Sequence, residues 1–271
     1  MSNSLLKQVG EDIKAFLEGR SHIAVNPEVK TSTVFNSERS LQLALAQYLM
    51  EAGNYDDIIM EYLIPKEIIT KKASLIPDFR WGDDNMYIDI VVRKGDEYIP
   101  IELKYVTDSF IPKAKEGKGM ATNFLGQTYL PVEVLKRHSA QDIRCYDFWK
   151  DVKRIEFLME TFSSVIGGFC LILTNEKSLV KGPTVKASYR DFSLKNGSLS
   201  PREKRWRPEV KTSEGRPGFS NNQNYPVDWR PLTLSYKAYA RYTHQPGMKF
   251  VPKEPISDEK IPFHYFLLNV I

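Results

Sequence analysis

Residues Phe169–Thr174 (FCLILT) form an unbroken apolar run that follows Gly167-Gly168. A run this short with no polar alternation reads as a central β-strand buried on both faces. Such a strand needs neighbours and covering layers, and the sequence around it supplies them. From about Ala140 to Phe162 the spacing is helical, with Trp149, Val152, Ile155, Met159 and Phe162 on one side and Gly167-Gly168 breaking the pattern. Further upstream, Leu41, Ala44, Leu45, Tyr48, Leu49 and Ala52 recur at the spacing of an amphipathic helix. Asn36 or Ser37 suits its N-cap and Gly53 suits the position after its end. Glu61–Pro65 (EYLIP) reads as a short strand, and Leu232–Tyr242 and Phe263–Ile271 as closing strands or short helices. The first twenty residues read as a short amphipathic helix. Strands and helices alternate through the first two thirds of the chain, which predicts a mixed α/β layered structure.

Composition sets limits on function. In 271 residues, 42% are hydrophobic and 27% charged, which is enough apolar material for a sizeable core and unlike a disordered or fibrous chain. No apolar run approaches the roughly 18 residues that span a bilayer, so no membrane partner is expected. The N-terminus lacks the order of a signal peptide. Cys145 and Cys170 have no nearby ligand partner and read as small buried residues of a reducing, cytoplasmic compartment. The histidines at 22, 138, 244 and 264 lack ligand spacing, so no zinc site is expected. The net charge of +4 is too mild to imply a polyanionic partner, but its distribution says more. Lys181–Arg216 holds ten Lys or Arg against four Asp or Glu.

The chemistry concentrates in a hairpin. Met86–Arg93 and Tyr98–Tyr105 are β-like runs around Gly95-Asp96, a pair suited to a tight turn. With these two residues at the turn's centre, Asp89 faces Glu102 and Tyr87 faces Lys104. Alternation puts Glu102 and Lys104 on one face with Asp89 beside them, and Ile88, Ile90, Ile101 and Leu103 on the other. Two opposed carboxylates repel, and a cation such as Mg²⁺ (or Mn²⁺) relieves the repulsion. A metal held there beside a lysine suits phosphodiester hydrolysis.

Asp89, twelve intervening residues, then Glu102-Leu103-Lys104 resembles the signature of the PD-(D/E)XK, or restriction-endonuclease-like, nuclease superfamily. The resemblance covers about residues 30–175. It implies an α/β/α core with a mixed central sheet, to which residues 181–230 add a basic elaboration and 232–271 closing strands, all in one domain. It assigns metal binding to Asp89, Glu102, the Leu103 carbonyl and Glu38 on the preceding helix, and assistance of the attacking water to Lys104. The literal Pro77-Asp78 offers Asp78 as a rival ligand, although Asp89 lies inside the strand. The helix QDIRCYDFWKDVKRIEFL and FCLILT resemble the rest of that core, and more narrowly that of uncharacterised bacterial members. The implied activity is metal-dependent cleavage of nucleic acid, DNA before RNA. A homodimer would be the simplest arrangement for cutting both strands, since one such site cuts one strand at a time.

Nucleic-acid contacts are expected from Lys113, Lys115 and Lys118 in the run KAKEGKG, and from Arg205 and Arg207, which flank Trp206. Trp206 can stack on a base or pack inside. Gln127 and Gln141 are further candidates for reaching the site. The alternatives to a DNA nuclease are an RNA nuclease, a module that binds nucleic acid without cutting it, and a structural or partner-binding protein, for which Asp89, Glu102 and Lys104 would be a surface ion-pair ladder.

Overall fold

The computed structural model describes residues 3–19, 34–65, 67–69, 86–111, 121–122, 128–129, 133–138, 140–208, 210–239 and 255–271. Lys113, Lys115, Lys118, Asp78 and Gln127 therefore lie outside the described residues. The fold is mixed α/β around a six-stranded sheet. Helices α1 (Asn3–Leu17) and α2 (Glu38–Ala52) precede strands β1 (Asp57–Ile64), β2 (Met86–Lys94) and β3 (Glu97–Val106). Helix α3 (Gln141–Thr161), strand β4 (Gly168–Thr174) and the closing strands β5 (Arg230–Tyr239) and β6 (Pro255–Val270) follow. The order across the sheet is β1-β2-β3-β4-β6-β5. Only β3 and β4 run parallel, joined by the crossover that contains α3; the other neighbours are antiparallel. Among the described residues no helix is long and apolar enough to cross a membrane.

Every residue of β4 is buried, as its unbroken apolar run predicts. Its odd-numbered side chains, Phe169, Leu171 and Leu173, meet α1 and α2 through Val9, Ile13, Phe16, Leu41, Leu45 and Leu49. Its even-numbered ones, Cys170 and Ile172, meet α3 through Trp149, Val152 and Ile155. The crossover is tight at Gly168, where an added β-carbon would stand 2.6 Å from the Ile155 side chain and 2.8 Å from the Pro100 carbonyl oxygen. Both cysteines are buried and free.

The elaboration from 181 to 229 covers the outer side of α3. Phe192, Trp206, Phe219, Tyr225 and Trp229 join Tyr146 and Trp149 in one cluster. Trp206 is buried and donates through its indole N–H to the Arg216 carbonyl, 2.9 Å away, so it packs inside and does not present a stacking face. Lys204 is also fully buried, with its ammonium 3.9 Å from the centre of the Trp149 ring and donating to Ser200 Oγ and the Pro201 carbonyl.

Burial depresses the Lys204 pKa to about 7, against the opposing pull of Asp191 and Glu156. An unfolded lysine titrates near ~10.4. Between the two values the unfolded chain binds the proton and the folded chain does not, so this residue makes stability rise with pH from about 7 towards ~10.4. Lys204→Met should abolish that rise and raise the melting temperature at pH 7. Melting curves of both proteins from pH 6 to 9 isolate the effect by difference. A variant less stable than wild type throughout would mean that the charged amine is well solvated by its partners.

Candidate active site

The turn at Gly95-Asp96 forms as expected, with Gly95 at φ 58°, a conformation that glycine adopts without a steric penalty. It sets the register Lys94 opposite Glu97, Val92 opposite Ile99 and Ile90 opposite Ile101. Beyond that pair the ladder of β2 and β3 ends. The Asp89 and Glu102 backbones do not continue it, nor do those of Tyr87 and Lys104. Instead, Asp89 Oδ2 accepts from the Leu103 N–H at 2.6 Å, and Glu38 Oε2 accepts from the Tyr105 N–H at 2.8 Å. Two carboxylates thus satisfy the open edge of β3 where a neighbouring strand would otherwise do so.

The alternation of β2 slips at the same level. Ile90 packs with Ile101 and Leu103 towards α2, but Ile88 does not share that face. It joins Met86 and Val91 against Phe157 and Leu158 of α3. Opposite Asp89, Glu61 of β1 leaves the ladder with φ at 51°, a left-handed conformation unfavourable for a residue with a side chain.

Helix α2 is fixed to this point from both ends of its first turn. Ser37 caps it by accepting from the Ser40 N–H at 3.2 Å, and Glu38 follows in the first turn, where the helix dipole favours an acid. One turn on, the buried Gln42 donates to the Asp89 carbonyl at 2.7 Å and to Glu61 Oε1 at 3.1 Å. Gln42 is a functional candidate that the apolar stripe conceals, since it lies beside Leu41 and Leu45.

On the opposite face, Glu102 and Lys104 project towards α3. Lys104 Nζ lies 2.6 Å from Asp151 Oδ2 and 3.2 Å from the Leu103 carbonyl oxygen. Arg154 Nη1 lies 3.0 Å from Glu102 Oε1 and 3.1 Å from Asp151 Oδ1, while its Nη2 donates to the Tyr87 carbonyl at 2.6 Å. Asp151 therefore links both cations, one through each oxygen. Glu102 Oε1 and Asp151 Oδ2 are buried within ion-pair reach of a cation, yet neither makes an aligned hydrogen bond. Asp151 and Arg154 carry a sequence signal: with Asp147 they fall at i, i+4 and i+7, a charged stripe beside the apolar one.

The electrostatics follow from this crowding. Burial raises the pKa of Glu102 well above the usual carboxylate range; Arg154 and Lys104 oppose the rise, while Asp151 and Asp89 add to it. Burial also raises Asp89, against the charge of Lys104 and the hydrogen bond from Leu103. Glu38 is exposed as a residue, but its enclosed carboxyl end is raised too, against Lys104 and the Tyr105 N–H. Burial alone would lower Lys104, but Asp151, Glu102, Glu38 and Asp89 outweigh it and hold the side chain as an ammonium.

The structure thus gathers Asp89, Glu102, Leu103, Lys104 and Glu38 around one strand edge. Among the described residues no three His, Cys, Asp or Glu side chains converge as a ready metal-holding group, and the two cations stand between the acids. Arg205 and Arg207 lie apart in the elaboration, each engaged by an acid there: Arg205 with Glu203 at 3.2 Å and Arg207 with Asp191 at 2.7 Å. Gln141 bonds Glu176 and Ser178. No family model matches the chain, and comparison with curated proteins and with solved structures gives no match.

Proposed function

We propose that this protein is a metal-dependent nuclease of the restriction-endonuclease-like kind, hydrolysing phosphodiester bonds, with DNA as the first expected substrate. The observation that carries the reading is the open edge of β3, where the Asp89 carboxylate, the Leu103 carbonyl and the Lys104 ammonium meet within one hydrogen-bonded group, beside Glu102.

The donor set suits a hard divalent ion. Asp89, Glu102 and the Leu103 carbonyl offer oxygen only, Glu102 Oε1 is buried without an aligned hydrogen bond, and burial makes both carboxyls bind protons more tightly than usual, a penalty on their charged form that a bound divalent ion would offset. These three groups would hold Mg²⁺ or Mn²⁺, with Glu38 at the rim. A divalent ion so bound supplies polarisation of a phosphoryl oxygen and a water of lowered pKa. The chain's own groups do the rest. Lys104, held as an ammonium, donates to the attacking water or to a phosphate oxygen and offsets charge gathering there. Asp151 orients that ammonium at 2.6 Å, and Gln42 fixes the backbone of Asp89 at 2.7 Å.

One observation favours a module that binds without cutting: Arg154 and Lys104 already neutralise Glu102 and Asp151 without a metal. A single experiment separates the two readings. Circular duplex DNA, linear duplex DNA, single-stranded DNA and RNA are incubated with Mg²⁺, Mn²⁺ or EDTA, and binding is measured on the same substrates. Cleavage that needs the metal and favours DNA is expected. Cleavage of RNA alone would change the substrate class, and binding without cleavage under any metal would replace the enzyme with the binding module.

A further inference from the structure

The edge of β3 runs on from Lys104 into a cavity of about 350 Å³ whose lining includes Glu38, Thr107, Lys136, His138 and Arg144. At about 3.3 Å per strand residue, Thr107, just past the end of β3, lies about 10 Å from Lys104. That distance corresponds to about three nucleotides of helical rise at about 3.4 Å each. Lys136 is exposed and Arg144 half-buried, and among the described residues neither side chain makes an ion pair. The acids on the same wall are engaged: Glu133 accepts from Ser109 Oγ, and Glu38 from the Tyr105 N–H.

His138 is oriented as a donor. Its ring Nδ1 accepts from the Thr107 N–H at 3.1 Å, and the His138 backbone N–H donates to the Thr107 carbonyl at 2.8 Å, which fixes the ring in place. A neutral imidazole that accepts at Nδ1 carries its proton on Nε2. Burial and the neighbouring Arg144 keep the ring towards neutrality. The amino-terminal turn of α2 borders the same cavity through Asn36 and Ser37 and adds a field that favours an anion.

The geometry points to a second phosphate subsite here: Lys136, His138 and Arg144 receive a backbone phosphate of the bound nucleic acid a few nucleotides from the scissile one. The inference rests on the reading of Asp89, Glu102 and Lys104 as a phosphodiester site, and it gives that site a strand direction along β3. The subsite reads no base. It positions the strand and makes binding salt-dependent.

The test uses the full chain in EDTA, so that cleavage plays no part. Fluorescence anisotropy of labelled single-stranded and duplex DNA is followed across a range of salt concentrations for wild type and for K136Q/R144Q. The double variant is expected to bind about tenfold more weakly at low salt, with the slope of log Kd against log salt reduced by about one, the change for one phosphate contact. A series of oligonucleotides, each with one phosphate replaced by an uncharged methylphosphonate, should weaken wild-type binding at one flanking position and leave the variant indifferent there. Both side chains lie at the surface of the cavity, so the two proteins should melt together. An unchanged salt slope, an absence of nucleic-acid binding, or equal sensitivity to every methylphosphonate overturns the subsite. Failure of the nuclease reading looks different, because a protein that never cuts yet shows the altered slope keeps the subsite.

Discussion

Lys104→Ala is expected to lower metal-dependent cleavage by about 10²–10³-fold while nucleic-acid binding stays within about threefold of wild type. The Lys104 ammonium is the group between Asp151 Oδ2 at 2.6 Å and the Leu103 carbonyl at 3.2 Å, so its loss removes the donor that the proposed mechanism sets beside the scissile phosphate. Asp151 keeps Arg154 at 3.1 Å as a partner, so the fold should survive. Single-turnover rates at saturating Mg²⁺ separate chemistry from binding, and Lys104→Met, which keeps most of the side-chain stem, controls for packing. A variant that cuts at the wild-type rate would remove Lys104 from the chemistry. Equal losses of binding and of rate would mean that the ammonium only attracts the polyanion.

Much of this site was legible because strand geometry is rigid. A two-residue turn at Gly95-Asp96 fixes the register, and a period of two then puts Glu102 and Lys104 on one face whatever the surroundings. The all-apolar β4 and the helix before it were legible for the same reason, since burial on both faces leaves a continuous signature. The slip at Asp89 was not. It depends on carboxylates replacing backbone partners at Leu103 and Tyr105, a tertiary choice that no local periodicity records. The ion pairs of α3 were missed because a charged stripe on a helix reads as a solvated face unless the sheet is known to lie beneath it. Charge counting says least in the elaboration. The surplus of Lys and Arg there includes Lys204 inside the core together with the exposed Arg205 and Arg207, so net charge alone does not separate buried from exposed cations.

Arg154→Ala should lower stability in the absence of metal and make the protein unusually responsive to Mg²⁺. The side chains involved are little exposed: Arg154 at 18%, Asp151 at 6% and Glu102 at 3%. Removing one partner from buried ion pairs typically costs roughly 3–5 kcal/mol, because the remaining charges lose compensation. Here Glu102 loses its nearest cation, and the residue already holds its proton more tightly than usual. For a chain of this size that corresponds to a fall in melting temperature on the order of 10 °C. A divalent ion binding the oxygens that Arg154 leaves would restore part of it, by about 2.7 kcal/mol at a concentration one hundred times its Kd. Melting curves with EDTA and with rising Mg²⁺ read both effects, and Arg154→Met keeps more of the side chain's packing should the alanine variant fold poorly. The expected result is a larger Mg²⁺-dependent gain in the variant than in wild type, because the guanidinium and the metal compete for Glu102. Equal gains would place the metal away from Glu102. No gain in either protein would leave the carboxylates of the free protein as a salt-bridge network and withdraw the metal site from it, so that any metal needed for cleavage would have to arrive with the nucleic acid.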